Sequence, residues 1–401
     1  MTALPQTWEA APGLTLRHGR DVVGENGVVR SDVLCVLSAT PRSRWPSRVV
    51  AGDFVEVKLD GIEALAASAA RSLFDNAALQ AVQSFFENGG QHCRLVGVCV
   101  DEENDLCDAD TTDLGPLGPV LSHLRSVDDV GLLCMPILGW LPVVRSRDGV
   151  HVRALALQVL LLAHCREVGH RFFVIDPPRG LHEAALMRWV DDLREADPDS
   201  ASWGAVWYPW LANGETVVAP SGVVGGLIAR TDVEHPPWGV HWPPANLVAR
   251  GVTHAEVALT QREAVAANES NVNSLLVQAG RGVVAWGART LSTDPRWLHI
   301  NTRRVVSLVA EQLRRDTSWV VFEHQRPELW EVITRTVRAR LDALWAAGLL
   351  AGARSADETL VRCDAELNPQ AVRDAGEVRV VVLLRPVTTT EQIVVDLTLT
   401  P

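Results

Sequence analysis

Apolar runs alternate with amphipathic segments of helical length through the middle of the chain. Short apolar runs at 33–37 and 130–135, and the run RFFVIDPP, have the length and composition of buried strands. Apolar residues recur with helical spacing at 152–168 and 184–196. Strands separated by helices of this length are typical of βαβ units, so we predict an α/β region with a mainly parallel sheet.

A further helix is predicted near the start of this region. Asn76 is placed as its N-cap, and the pair Gly89-Gly90 is the stop signal. The buried face of this helix is predicted to carry Ala78, Leu79, Val82, Phe85 and Phe86.

The pattern changes after a stretch with four prolines, HPPWGVHWPPAN at 235–246. Such a stretch cannot hold regular structure for long, so we predict a domain boundary there, followed by a mixed α+β domain. The predicted elements of that domain are a strand at 283–286, helices at 302–315 and 327–347, and strands at 378–384 and 392–399. The helices are predicted to bury Val305, Leu308, Val309, Gln312 and Leu313 in the first, and Trp330, Ile333, Val337, Leu341 and Leu344 in the second.

Both ends of the chain are predicted to be extended segments whose side chains alternate between two faces. At 12–18, PGLTLRH places Leu14 and Leu16 on one face. Strand edges left free in this way suit pairing with another chain, the β-augmentation mode of recognition. The same pattern equally fits two ends that pair within one molecule, and the sequence does not choose between them. In the last segment the residues on one face are Ile393, Val395, Leu397 and Leu399.

Composition and charge narrow the class of protein. The chain has 401 residues, of which 47% are hydrophobic and 21% charged, enough for two or three folded domains. A net charge of -12 argues against sequence-independent nucleic-acid binding, which depends on basic surface. Seven cysteines occur without a CxxC pair, and we predict buried, reduced thiols. No signal peptide is visible and the apolar run at 154–163 is too short to cross a bilayer, so we expect no membrane insertion.

Motifs for catalysis are missing from the sequence. PSGVVGG at 220–226 is glycine-rich but lacks the GK[ST] of a P-loop, and Ser221 is not in a GxSxG elbow. The histidines show no metal-ligand spacing, and we expect no cofactor and no metal. Asp176 ends a strand, where α/β enzymes place catalytic groups, but two prolines follow it and favour a capping role. Arg289 is expected to form a structural ion pair.

Several blocks resemble one family, the contractile tail sheath proteins of phages and of phage-tail-like injection systems. The blocks follow the family order: PGLTLRH, AVQSFFENGGQHCRLVGV, VWYPW, APSGVVGGLIARTD, WPPAN, VVAWGARTLS with WLHINTRR, and WVVFEHQRPELWEVI. The GARTL and FExNxxxLW blocks are long and specific. The arm departs from the family in having TLRHG where acidic residues are usual, and His324 and Gln325 stand where Pro and Asn are usual.

The resemblance implies an α/β, overall α+β, multi-domain sheath fold. It has a mainly parallel middle sheet of the kind called subtilisin-like, a name that concerns the fold. The expected divisions are an N-terminal linking arm at 1–20, an outer and middle domain at 21–245, and a conserved inner domain at 246–401 that ends in a linking strand.

The resemblance also implies a structural function and not an enzyme. Subunits would polymerise helically around an inner tube, with strands inserted into neighbouring subunits, and contraction would release assembly free energy without nucleotide. The implied partners are other sheath subunits, the tube protein, and baseplate and cap proteins. Assembly is expected in the cytoplasm of the producing bacterium, in a particle that can be released. A minor sheath paralogue, a baseplate or cap protein of the same fold, and an α/β enzyme with an unrecognised site stay open as alternatives.

Site residues follow from the resemblance. Between Arg281 and Trp345 the sequence has 11 Arg against 7 Asp and Glu, a basic balance that suits an acidic tube or simply a solvated helix face. On that basis Arg335 and Arg338 are predicted tube contacts. The expected inter-subunit linking residues are Leu14, Leu16, Val380, Val382, Ile393, Val395, Leu397 and Leu399. The expected packing residues of the inner domain are Trp286, Arg289, Trp297, Phe322 and Trp330.

Overall fold

The fold was examined in a computed structural model. It describes residues 13–18, 30–101, 115–146, 149–152, 154–236, 239–321, 323–353 and 355–387. Within these ranges the strands are β1 (Gly13–His18), β2 (Leu34–Pro41), β3 (Phe54–Leu59), β4 (Cys93–Val100), β5 (Leu132–Cys134), β6 (Val143–Ser146), β7 (Gly149–Val152), β8 (Phe172–Ile175), β9 (Gly204–Tyr208), β10 (Leu211–Asn213), β11 (Thr216–Val218), β12 (His254–Ala255), β13 (Val272–Gln278), β14 (Gly282–Trp286), β15 (Thr359–Arg362) and β16 (Val378–Leu384). The helices are α1 (Ile62–Ala67), α2 (Asn76–Glu87), α3 (Leu117–Arg125), α4 (Ile137–Trp140), α5 (Leu155–Val168), α6 (Glu183–Ala196), α7 (Pro220–Glu234), α8 (Gln261–Glu269), α9 (Ile300–Asp316), α10 (Pro327–Ala346), α11 (Ser355–Glu358) and α12 (Gln370–Asp374).

One large sheet organises the first two thirds of the chain. Its strand order is β14-β13-β9-β8-β5-β2-β4-β3. The strands from β4 to β13 run parallel to their neighbours, and only the two edge strands, β3 and β14, pair antiparallel. The predicted mainly parallel α/β sheet is therefore confirmed.

Helices cover both faces of this sheet, so its central strands are apolar on both sides. Strand β2 shows this best, since seven of its eight residues are buried. One core lies under α3, α5 and α6, and the other lies under α2 and α7. The N-cap of α2 is Asp75, whose side chain accepts the N–H of Ala78, so the prediction of Asn76 as the cap was wrong by one residue.

A third core lies in the C-terminal part of the chain. Helices α9 and α10 pack against a small antiparallel sheet of order β1-β16-β15. The two apolar stripes predicted from helical spacing are confirmed, because each of their members is buried. Strand β1 pairs with β16 of the same chain over Gly13–His18, which is the intramolecular alternative for the N-terminal segment.

Strands that precede residue 245 in the chain and strands that follow it belong to the same sheet. Strand β9 pairs in parallel with β13, and β13 with β14, so the sheet extends to Trp286 before the chain enters α9. The stretch around 245 is a connection that returns to the sheet, with the N–H of Ala249 bonded to the oxygen of Val283 at 2.8 Å. A domain boundary at residue 245 stays a prediction, as does the arm at 1–20.

Candidate functional site

The turn between β14 and α9 is held by a buried asparagine, Asn273 on β13. Its Nδ2 donates to the main-chain oxygens of Val206 (3.1 Å) and Arg289 (2.8 Å), and its Oδ1 accepts the N–H of Arg289 at 2.7 Å. Gly287 passes this point with a φ of 105°, and a Cβ there would lie 2.8 Å from Asn273 Oδ1. The glycine of the GARTL block is therefore needed both for its left-handed backbone and for the close approach of the amide.

Two other buried asparagines make the same clamp. Asn88 accepts the N–H of Arg250 at 2.8 Å and donates to its oxygen at 3.1 Å. Asn368 does the same with Arg379, at 2.7 and 3.0 Å. In each case one side-chain amide replaces the strand that would otherwise pair with that main-chain residue, so no buried backbone group is left without a partner there.

Arg289, the arginine of the GARTL block, is half-buried and bonds to the backbone. Its Nη1 donates to the main-chain oxygen of Asn268 at 3.0 Å, and its main chain forms a β-bridge with His299. The side chain thus ties the turn to the end of α8. The structural ion pair expected for Arg289 from the sequence stays a prediction.

The tryptophans of this region differ in burial. Trp286 and Trp297 are half-buried, whereas Trp330 on α10 is only 6% exposed. Trp297 packs on Arg303 of α9, with the guanidinium carbon 4.2 Å from the ring centroid, and Trp203 packs on the same guanidinium at 3.9 Å. Burial lowers the pKa of Arg303 to about 9. Both tryptophans make cation–π contacts that hold this cation.

The neighbouring arginine fixes α9 to the large sheet. Arg304 forms a buried ion pair with Asp232 on α7, at 3.1 and 2.5 Å, and also donates to the main-chain oxygen of Ser31 at 3.0 Å. Ser31 Oγ donates to the same carboxylate at 2.8 Å. Breaking a buried pair of this kind leaves an uncompensated charge, so α9 and the sheet are held as one unit.

Neither Asn273 nor Arg303 was selected from the sequence. Asn273 has no signal beyond being a polar residue inside the apolar run VNSLLV. For Arg303 and Arg304 the available signal was two adjacent cations in INTRRVV, because charges next to apolar helix positions must be paired or stacked.

Asp176 and Ser221 form a buried contact between the end of β8 and the start of α7. Asp176 accepts the N–H of Ser221 at 2.7 Å and its hydroxyl at 2.5 Å, at the first turn of α7. Asp176 is 4% exposed and Ser221 is fully buried, and burial raises the pKa of Asp176 to about 7. The carboxyl caps the first turn of α7, whereas the sequence favoured a cap on the proline turn that directly follows Asp176.

The residues predicted to link subunits lie opposite one another. Leu14 is in register with Val382, and Leu16 with Val380. Val380 and Val382 are fully buried against the third core. Ile393, Val395, Leu397 and Leu399 lie outside the described residues, as does Phe322.

Arg335 and Arg338 are exposed on α10 beside an open groove. The groove has a volume of about 730 Å³ and runs between α10 and the residues after β15. Both arginines and Trp330 line it, together with the acidic side chains of Asp342 and Asp364. The face is therefore accessible and carries charges of both signs.

The cysteines in the described ranges are free thiols. Cys35, Cys93, Cys99, Cys134 and Cys165 are buried free thiols and Cys363 is a half-buried one, whereas Cys107 lies outside the described residues. Burial raises the pKa of Cys35 to about 12. Across these ranges, no group of three or more His, Cys, Asp or Glu side chains is placed to hold a metal ion. Among the described helices, none has both the length and the apolar character needed to cross a membrane.

Family models match the second half of the chain. The phage tail sheath protein central domain matches residues 196–291, and the phage tail sheath C-terminal domain matches 292–400, so together they span about half of the sequence. A curated relative, described as a prophage major tail sheath protein of Pseudomonas aeruginosa (strain UCBPP-PA14), is 27% identical over 156 residues. That match covers 37% of this chain and 38% of the relative.

Solved structures share the fold over nearly the whole chain. A chain of the anti-feeding prophage baseplate has a TM-score of 0.71 at 22% identity, with 96% of this chain and 99% of that chain covered. A sheath chain of an extracellular contractile injection system, PVC, in the contracted state has a TM-score of 0.67 at 21% identity, with 94% and 93% covered. A sheath tail protein of Desulfitobacterium hafniense has a TM-score of 0.51 at 9% identity, with 85% and 92% covered.

Proposed function

The chain belongs to the phage tail sheath protein family, and from that premise we propose that it is a structural subunit of a contractile sheath. The observation that carries the proposal is the unbroken match to the central and C-terminal sheath domains over 196–400. Subunits assemble helically around an inner tube and contract to drive the tube through a target envelope. The other partners are baseplate and cap proteins, and assembly takes place in the cytoplasm of the producing cell.

The paired chain ends supply the means of linking subunits. In one chain, β1 fills the edge of β16 through six residue pairs. A β1 segment from a neighbouring subunit makes the same main-chain bonds, so exchange between subunits costs no hydrogen bond. We propose that Leu14, Leu16, Val380 and Val382 act in this exchange, with Ile393, Val395, Leu397 and Leu399 forming a second linking strand.

The contacts between α9 and the large sheet, which we call the joint, support movement of the subunit as one rigid body. The ion pair of Arg304 with Asp232, the clamp of Asn273 on Arg289, and the stacked Arg303 join α9 to the large sheet. Contraction then rearranges contacts between subunits and leaves the joint intact. The energy comes from the difference in assembly free energy between two packings, so the subunit needs no nucleotide and has no catalytic role. The burial of Asp176 and Ser221 supports this, since no substrate reaches them.

Arg335 and Arg338 are the proposed contacts with the tube. Both are exposed on α10, and the groove beside them gives an interacting segment a place to sit. Acidic groups on the tube surface pair with them, and salt weakens such contacts between exposed charges.

Electron microscopy tests the function directly. The full chain is produced alone and together with its cognate tube protein, and the lysates are imaged by negative stain. Striated sleeves on tubes, or long helical polymers of the chain alone, are expected. Single subunits that never associate with tube under either condition contradict the proposal and favour a different role for the fold.

A further inference from the structure

A small cavity lies where α9 meets the large sheet. Its volume is about 20 Å³, which is enough for one water molecule or one small ion. The residues around it come from the segments that lead into β2, β5 and β8, and from α9. They are Arg30, Ser31, Gly131, His170, Arg171, Phe172, Arg304, Ser307 and Leu308.

Two of the lining side chains have buried nitrogens without a hydrogen-bond partner. On Arg171, which is 1% exposed, the atom is Nε. On His170, whose side chain is 4% exposed, both ring nitrogens lack a partner. Arg171 Nε and the one protonated nitrogen of a neutral His170 ring are buried donors, and such donors are costly unless something accepts their hydrogen bonds.

Arg171 is also a buried cation without a carboxylate partner. Its Nη1 donates to His164 Nε2 at 2.8 Å, and its Nη2 donates to the main-chain oxygens of Leu124, at 2.6 Å, and Val127. In the described ranges no carboxylate forms an ion pair with it. Burial lowers the pKa of this guanidinium, which shows the cost of the lone charge.

Four other charged groups near the cavity are paired with partners of their own. Arg30 pairs with Asp32 at 2.6 Å and Arg304 with Asp232 at 2.5 Å. Asp129, on the loop before β5, pairs with Arg94 at 2.5 Å. Glu311 Oε2 lies 3.9 Å from His170 Nδ1 but pairs with Arg314 and Arg315 on its own helix. Burial and the nearby Arg171 lower the pKa of His170 to about 3, so its ring is neutral. Among the described residues, Arg171 therefore has no carboxylate at ion-pair distance, and the negative charge of Asp128 acts on it only from farther away.

We propose that this cavity binds one small monovalent anion, chloride under ordinary conditions. A water molecule can accept a hydrogen bond from Arg171 Nε or His170, but it leaves the positive charge uncompensated. A halide accepts the same N–H groups and neutralises the charge, which is what a buried cation needs. Since the cavity lies between α9 and the sheet, the bound ion stabilises the joint between the two.

Thermal unfolding of the full-length chain tests the proposal. The midpoint is measured while chloride replaces gluconate at constant sodium concentration and constant ionic strength. Binding to the folded state predicts a saturable rise of about 2 °C. The Arg171→Gln variant removes the charge, and its midpoint should not respond to chloride. Arg166→Gln is the matched control, because Arg166 is partly exposed and pairs with Asp197 and Asp199 away from the cavity. This control should keep the response of the wild type.

Bromide provides a second measurement that does not depend on a variant. Crystals of the wild-type chain are soaked in sodium bromide, and anomalous scattering locates the ion. A peak between His170 and Arg171 is expected. Absence of that peak, or an equal response to chloride in the wild type and Arg171→Gln, overturns the proposal and shows that the cavity holds only water.

Discussion

Thr15 lies directly opposite Val381 in the antiparallel pair of β1 and β16. Residues opposite one another in such a pair have Cα atoms about 4.5–5.5 Å apart, within the range that a disulfide spans. This pair therefore reports which molecule supplies β1. In the proposed exchange, the segment of a neighbour replaces the subunit's own β1 with the same main-chain bonds.

The first prediction concerns a cysteine pair at Thr15 and Val381. In unassembled subunits, oxidation of Thr15→Cys with Val381→Cys should give a cross-linked monomer on non-reducing gels. In assembled sheath it should give a ladder of covalent multimers if β1 is exchanged. Val361 and Val382 face each other in β15 and β16, so cysteines there should link within one chain in both samples. Monomers alone from assembled sheath would rule out exchange of β1.

Asn273 is expected to be more important for stability than its size suggests. Asn273→Asp places a carboxylate against the oxygens of Val206 and Arg289, which its amide now satisfies. Loss of these bonds in a buried site should lower the free energy of unfolding by about 3 kcal/mol or more, measured by urea titration. Asn213→Asp, at an exposed residue at the end of β10, is the comparison and should cost less. Equal losses would show that the clamp adds little.

The pKa of Asp176 determines a pH dependence of stability. Its folded-state pKa of about 7 lies above the ordinary value of 3.8, so the folded chain binds the proton more tightly than the unfolded one. Stability contributed by this group is present below pH 4 and is lost as pH rises to about 7. Asp176→Asn keeps a donor and an acceptor for Ser221 and removes the titration. The variant should gain about 2–4 kcal/mol relative to wild type between pH 5 and pH 8. A constant difference across this range would show that the carboxylate is ionised in the folded chain.

Sequence patterns predicted the helices and the parallel sheet better than the contacts between them. The stripes of α9 and α10 follow from helical spacing alone. PSGVVGG at 220–226 was compared with a P-loop and no helix was predicted there, yet it starts α7. A Cβ on Gly222 would lie 2.5 Å from the backbone of Ala81, and one on Gly226 would lie 2.5 Å from the oxygen of Phe85. The glycines allow close packing of α7 on α2, which is a property of two distant segments and leaves no local pattern.

The tryptophan contacts of Arg303 and the clamp of Asn273 were hidden from sequence reasoning for the same physical reason. Trp203 is 100 residues before Arg303, and Val206 is 67 before Asn273. A local pattern shows that a charge or an amide sits in an apolar segment, but not what it contacts. The inclusion of β13 and β14 in the large sheet is likewise a long-range pairing, which the prolines at 235–246 concealed.

Burial sets different expectations for Trp286, at the end of β14, and Trp330, on α10. Trp330 is 6% exposed, and Trp330→Ala should lower the free energy of unfolding by about 3–5 kcal/mol. Trp286 is half-buried, so Trp286→Ala should cost less, about 1–2 kcal/mol, below the loss expected for a core tryptophan. Denaturant unfolding of the two variants compares them. A larger loss at Trp286 would mean that its neighbours depend on it more than its burial indicates.

The last prediction concerns the exposed face of α10. Arg335 and Arg338 are three residues apart, so they lie on the same side of the helix, away from the buried stripe. Reversing both to Glu should leave the fold intact, since exposed substitutions usually cost under about 0.5 kcal/mol.

Binding to preformed tube is then measured by co-sedimentation at low and moderate salt. The double reversal should bind poorly at both, and moderate salt should weaken wild-type binding, because screening reduces the attraction between exposed charges. Arg44→Glu with Arg48→Glu changes the net charge equally at two exposed positions after β2, and this control should bind like the wild type. If both double variants bind as the wild type does, α10 does not contact the tube, and its arginines face solvent or another sheath subunit. If both lose binding, the total charge of the subunit matters more than the position of these two arginines.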